Sequence, residues 1–89
     1  MTETIKEEPK TREEILRVNY DARIQEVMHY QINIDNYTLA LANIAAMAAD
    51  DRAELSGFAE QLTGLLASER MEQKKAKVML EVLRQQLGD

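Results

Sequence analysis

Ala48-Ala49-Asp50-Asp51 is a short turn-like stretch with a long segment on either side, roughly 11–48 and 51–87. Each segment repeats its apolar residues with the period of an α-helix. When the second segment folds back onto the first, residues whose numbers sum to about 99–100 lie opposite each other, so that Ile44 faces Leu55. The sequence therefore predicts an all-α fold, an antiparallel hairpin of two long helices.

Polar interruptions in the two predicted helices would meet in this register. Gln31 is the one polar residue in the apolar seam of the first helix, and it falls beside Glu69, the first polar residue in the seam of the second. An unpaired polar group in such a seam costs about 1–3 kcal/mol, whereas a matched pair costs far less and sets the register. We therefore expect Gln31 and Glu69 to be partners.

The ends of the first predicted helix carry further signals. Residues 1–10 are polar and aperiodic, which indicates a flexible acidic arm ahead of a helical domain at 11–89. Thr11 and Glu14 match a capping box, so we expect the first helix to begin near Arg12. The segment 32–38 is poor in strong helix formers, and a kink or local fraying is expected there.

The second predicted helix has its own start, stop and glycines. Asp50 or Asp51 is expected to cap it, with Asp51 and Glu54 forming a second capping box. A further glycine, Gly88, is typical of a helix C-terminus. The two internal glycines, Gly57 and Gly64, share one stripe, which indicates either a close-packed backbone or two tolerated weak positions.

Composition excludes several classes of function. The net charge of −5 disfavours direct binding of nucleic acid through its phosphates. The absence of cysteine excludes thiol catalysis and cysteine-based metal sites, and no apolar run reaches the roughly 18 residues of a membrane span. The acidic first ten residues are unlike a signal peptide, so we expect a cytoplasmic protein without a membrane partner.

The first helix carries more apolar surface than one partner helix covers. A second apolar row lies beside the seam of the first helix and consists of Met28, Ile32, Leu39, Ala42 and Ala46. The second helix adds three apolar residues outside its own seam, Met71, Val78 and Val82. A lone hairpin of this length is close to zero net stability, and monomers rarely expose large apolar patches. We therefore expect a homodimer that forms a four-helix bundle, although the same surface would also serve a different partner.

One constellation has the residue types of a metal site. Glu26 and His29 form a Glu-x-x-His pair, and Glu69 with Glu72 lies at the same level of the second helix, so a dimer would gather these groups. However, His29 lies about 200° around the helix from Val27, on a stripe with several polar residues that indicates a solvent face.

The second helix resembles the last helix of encapsulated ferritin-like hairpins in about fifteen residues that include Glu72 and Leu80-Glu81-Val82-Leu83-Arg84. This resemblance implies an alternative function, a ferritin-like metal-binding bundle with carboxylate and histidine ligands. Lys75 stands where that family's pattern has a liganding histidine, and a cation there opposes an iron site.

No catalytic residues, cofactor or resident metal are predicted, because the serines lack a histidine at their level and no glycine-rich phosphate loop is present. The favoured interpretation is a non-enzymatic interaction module, a small acidic adaptor or inhibitor of the kind that phages and mobile elements encode. It would bind a protein with a basic surface through one helix face. The predicted contact residues are Met28, Tyr30, Ile32 and Leu39, with Glu26 and Asp35 at the rim.

Overall fold

The structure is a computed structural model that describes residues 11–88, and over this range the chain is a helical hairpin. Helix α1 spans Arg12–Ala45, the short α2 spans Ala49–Glu54, and α3 spans Ser56–Leu87. The long helices α1 and α3 pack against each other, and residues 11–88 contain no strand. The predicted all-α hairpin is confirmed, while the predicted arm at 1–10 lies outside the described residues.

Helix α1 begins with the predicted capping box. The backbone N–H of Glu14 donates to the Thr11 hydroxyl at 3.1 Å, and the backbone N–H of Thr11 donates to Glu14 Oε1 at 2.8 Å. These bonds satisfy amide groups that the first turn of a helix leaves without partners. The helix then continues without interruption through 32–38, so the fraying expected there is not observed.

The predicted second helix, at 51–87, is divided into α2 and α3, and its start differs from the prediction. The N-cap of α2 is Ala48, which makes no side-chain capping bond, and Asp50 and Asp51 lie in the first turn instead. The predicted cap at these aspartates is therefore wrong, although their charges still complement the positive end of the helix dipole. A break at Leu55 separates α2 from α3, whereas Gly88 ends α3 in the left-handed conformation at φ 83°, as predicted.

The core is a single seam between α1 and α3. Among the described residues, its buried apolar side chains are Leu16, Ile34, Ile44, Leu62, Leu66, Ala76 and Leu83. None of the described side chains is less than 2% exposed, because each helix is covered on one side only. The hairpin thus has the thin core that two helices provide.

Polar residues pair across the seam, but with partners other than those predicted. The buried Gln73 amide donates to the Gln31 side-chain oxygen at 2.9 Å and to the Val27 carbonyl at 3.2 Å. Glu69 instead accepts a hydrogen bond of 2.5 Å from the Asn33 side chain. The predicted Gln31–Glu69 pair is therefore wrong, since Gln31 bonds to Gln73, one turn beyond Glu69, and Glu69 bonds to Asn33, two residues beyond Gln31.

Candidate functional site

The side of α1 that faces away from α3 carries a continuous exposed stripe, here called the α1 ridge. Its residues alternate at spacings of three and four, and all are exposed: Val18, Asp21, Gln25, Met28, Ile32, Asp35, Leu39, Ala42 and Ala46. This spacing is the heptad pattern with which helices recognise other helices. The ridge contains four of the six predicted contact residues, Met28, Ile32, Asp35 and Leu39.

The apolar members of the α1 ridge are strongly exposed. Met28, Ile32 and Leu39 retain 53%, 56% and 62% of their accessible surface. Ile32 lies about 200° around the helix from the buried Ile34, so α3 cannot cover it. The prediction that the hairpin leaves this apolar row uncovered is therefore confirmed. Asp35 places one carboxylate within the row, and that carboxylate accepts a 3.0 Å hydrogen bond from the Gln31 side chain.

The other two predicted contact residues, Glu26 and Tyr30, lie elsewhere. Each is two residues from Met28, which places it about 160° away across the helix. Both are half-buried at the border between α1 and α3, so neither side chain is freely exposed. The structure thus divides the predicted contact set between the α1 ridge and a second location.

That second location is an acidic edge formed by Glu26, Glu69 and Glu72 around Tyr30. Partial burial raises the pKa of the Tyr30 phenol, and the nearby carboxylates of Glu26, Glu72 and Glu69 raise it further, while Arg23 opposes them. Arg23 also forms a 2.7 Å ion pair with Glu26. The edge holds its negative charge between the two long helices, where a phenolate would be repelled.

The carboxylates and histidine of the alternative metal interpretation do not form a site within one chain. Across residues 11–88, no group of three or more histidine, cysteine or acidic residues is arranged to hold a metal ion. His29 is exposed and its ring centroid lies 6.4 Å from that of Tyr30, while Glu72 pairs with Lys75 at 3.1 Å. A site that needs two chains stays a prediction, and nothing in the hairpin favours it.

Helix α3 carries a second exposed stripe, here called the α3 ridge, with the same alternating spacing. Its residues, all exposed, are Gly57, Gln61, Gly64, Ser68, Met71, Lys75, Val78, Val82 and Gln85. Sequence reasoning identified the glycines and the apolar members separately but missed that they share one stripe with Lys75 and Gln85. The continuous three-and-four spacing was the available signal.

The glycines of the α3 ridge face open space within the chain. A Cβ atom added at Gly57 or Gly64 would meet no atom within 4 Å. The close-packed backbone that their spacing indicated is therefore not supplied by the hairpin itself. A helix of another molecule would find little steric obstacle at this part of the ridge.

The surface depression at the α1 ridge is open rather than enclosed. Its volume is about 880 Å³. On α1 the depression is lined by Glu26, Met28, His29 and Ile32, and it extends to Met79 of α3. Small molecules bind in concave sites that cover most of their surface. A shallow groove along a helix is better suited to an elongated partner.

Comparison with known proteins adds no relative, since no protein-family model, curated protein or solved structure matches the chain. None of the helices in the described range is both long and apolar enough to span a lipid bilayer.

Proposed function

We propose that the protein is a non-enzymatic interaction module that binds another protein through the α1 ridge. The observation that supports this most directly is the exposure of Met28, Ile32 and Leu39, each more than half accessible, in a heptad stripe. Exposed apolar stripes of this kind are typical of helix-in-groove and helix-to-helix recognition. Covering these three side chains would bury apolar surface that the hairpin leaves in water.

The charge of the ridge defines the chemistry of the partner. Asp21 and Asp35 are the only charged residues in the α1 ridge, and the chain as a whole carries a net charge of −5. A complementary surface would present an apolar strip with a lysine or arginine opposite a carboxylate. An adaptor or an inhibitor that occupies a basic site on its target fits this description, and Glu26 with Tyr30 would contribute only if the partner reached the acidic edge.

Site-specific photo-cross-linking in cells tests the proposal. A benzophenone side chain at Ile32, in the ridge, should give one discrete protein adduct that Asp35→Lys weakens. The same group at Arg52, which is exposed in α2 at the turn end of the hairpin, is the matched control and should give none. The proposal fails if Ile32 yields no adduct, or if Arg52 yields the same one.

A further inference from the structure

The α1 and α3 ridges complement each other, and we propose that the α1 ridge binds the α3 ridge of a second copy of this chain. This inference rests on the proposed function, because it names the partner of the α1 ridge. The two ridges have the same spacing, and only Lys75 in the α3 ridge carries a positive charge, opposite in sign to Asp35. The partner of stated chemistry, an apolar strip with one cation, is therefore present on the protein itself.

One antiparallel register pairs the ridges residue by residue. When numbers in the two copies sum to 110, Gln25 lies opposite Gln85 and Asp35 lies opposite Lys75. The remaining layers are apolar or small: Met28 with Val82, Ile32 with Val78, Leu39 with Met71, Ala42 with Ser68, and Ala46 with Gly64. The matched stretch, 25–46 on α1, is about 32 Å long, and its layers follow the heptad geometry of an antiparallel coiled coil.

Other registers lose this agreement. A shift of one heptad places Asp35 opposite Ser68 or Val82 and leaves Lys75 opposite Met28 or Ala42. A shift of two heptads joins Lys75 to Asp21 but leaves Gln25 opposite Met71. Because an unmatched polar group in a helix interface is unfavourable, the Gln25–Gln85 and Asp35–Lys75 pairs together select the register that sums to 110.

The charged groups of this register are accessible to a second copy. Asp35 accepts a hydrogen bond from Gln31, and Lys75 donates to Glu72 at 3.1 Å, both within one helix. Such exposed contacts contribute little stability. An ammonium group has three donors and a carboxylate has several acceptor positions, so both side chains keep capacity for a bond across the interface.

The positions of the ridges set the form of the assembly. Ile32 lies about 200° from Ile34 on α1, and Met71 lies about 200° from Gln73 on α3, so the two ridges occupy opposite outer sides of the hairpin. Each copy then binds one neighbour on each side, a head-to-tail arrangement that continues or closes into a ring. The predicted homodimeric four-helix bundle would instead need both ridges on one face.

A charge exchange in the full chain tests the pairing, with the mass in solution measured by sedimentation and light scattering over a concentration series. The wild type should exceed the mass of a dimer as concentration rises. Asp35→Lys and Lys75→Asp should each weaken association on the order of tenfold, and the double variant should restore it. Lys74→Asp is the matched control, because Lys74 is exposed, adjacent and off the ridge. Circular dichroism confirms that each variant keeps its helices.

A mixture of the two single variants sharpens the test. The Asp35→Lys chain carries lysine at both positions and the Lys75→Asp chain carries aspartate at both, so every contact between unlike chains pairs opposite charges. The mixture should therefore recover the association of the wild type, with the two chains alternating, although each variant alone associates weakly. A wild type that stays monomeric, a double variant that fails to recover, or an equal effect of Lys74→Asp would overturn the pairing, and a wild-type dimer that grows no further would overturn the head-to-tail arrangement. An adduct from Ile32 to a different protein would overturn the second copy as partner but support the proposed function, whereas no adduct would overturn both.

Discussion

The seam inside the hairpin and the ridges outside it are built from similar residues, yet one is covered and the others are not. Leu62 in the seam is 4% exposed, whereas Leu39 in the α1 ridge is 62% exposed. Both positions belong to runs of apolar residues with helical spacing. The comparison teaches that helical periodicity shows which faces of a helix are apolar. Which of those faces become buried depends on the other helices that are available to pack against them.

The polar residues of the two regions make the same point. In the seam, the Gln73 amide is buried and bonded to Gln31 and to the Val27 carbonyl. In the ridges, Asp35 and Lys75 are exposed and bond only to neighbours on their own helices. Polar groups that specify a register contribute to stability only after the opposing helix is in place.

The largest difference between seam and ridge should appear on truncation of a leucine. Leu62→Ala should lower the free energy of unfolding by about 2–4 kcal/mol, because it removes buried methyl groups and leaves a cavity. Leu39→Ala should change it by less than about 0.5 kcal/mol, since its side chain is already in water. Urea unfolding followed by circular dichroism, at a concentration where the chain is monomeric, measures both.

Equal losses from the two leucine variants would contradict the assignment of seam and ridge. The Leu39→Ala variant should nevertheless weaken self-association when the mass is measured at high concentration, because Leu39 lies opposite Met71 in the proposed register.

A second difference concerns buried and exposed glutamines on α3. Gln73→Ala should destabilise the hairpin by about 1–3 kcal/mol, because it removes a buried amide and the hydrogen bond that the Gln31 oxygen accepts. Gln61 is exposed on the same helix, so Gln61→Ala is the matched control and should have an effect within about 0.5 kcal/mol. Indistinguishable unfolding curves for the two variants would show that the amide network does not hold the seam.

Most of the fold was predictable from local signals in the sequence. The Thr11 capping box and the Gly88 terminus are each encoded within one or two turns of helix. The antiparallel seam follows from the helical spacing of apolar residues along the two long segments. The hydrogen-bond partners of the polar residues in the seam were not predictable in this way. A side chain such as Gln73 reaches across a full turn, and which partner it bonds depends on the relative rotation of α1 and α3. The start of α2 was missed because an aspartate favours both the cap and the first turn.

The candidate site was predictable only in part. The apolar row through Met28, Ile32 and Leu39 was evident from its spacing, and the structure leaves it exposed. Glu26 and Tyr30 lie on a different face from that row, because a helix separates residues two apart in the chain by about 160°. The α3 ridge was missed, since its glycines and Lys75 interrupt the apolar pattern.

Gly64 and Gly57 separate the needs of the hairpin from those of the assembly. Neither glycine has an atom within 4 Å of an added Cβ, so Gly64→Ala should stabilise the monomer by about 0.5–1 kcal/mol through helix propensity. The same change should weaken self-association severalfold, because Gly64 lies opposite Ala46 in the register that sums to 110. Gly57 lies beyond the matched stretch, so Gly57→Ala should leave association unchanged; thermal unfolding and mass measurement test both expectations.

The smallest predicted effect belongs to the acidic edge, which borders the seam rather than either ridge. Partial burial, followed by the charges of Glu26, Glu72 and Glu69, raises the pKa of Tyr30 above its usual value. Since the pKa of Tyr30 is higher in the folded chain than in the unfolded one, the protonated phenol contributes stability that is fully present below a pH of about 10. This stability is lost as the pH rises through the pKa of the folded state. Tyrosinate absorbance, read as the difference between the protein and its Tyr30→Phe variant, gives this pKa.

The acidic edge also predicts the direction in which that pKa moves. Glu72→Gln should lower the pKa of Tyr30 while leaving it above the usual value, because burial is the larger cause and remains. Glu60→Gln removes a carboxylate from the same helix that is exposed and takes no part in the shift, so it should leave the titration unchanged. If Glu60→Gln moved the pKa as far as Glu72→Gln does, the effect would come from the net charge of the molecule, and the acidic edge would not be a distinct feature of the surface.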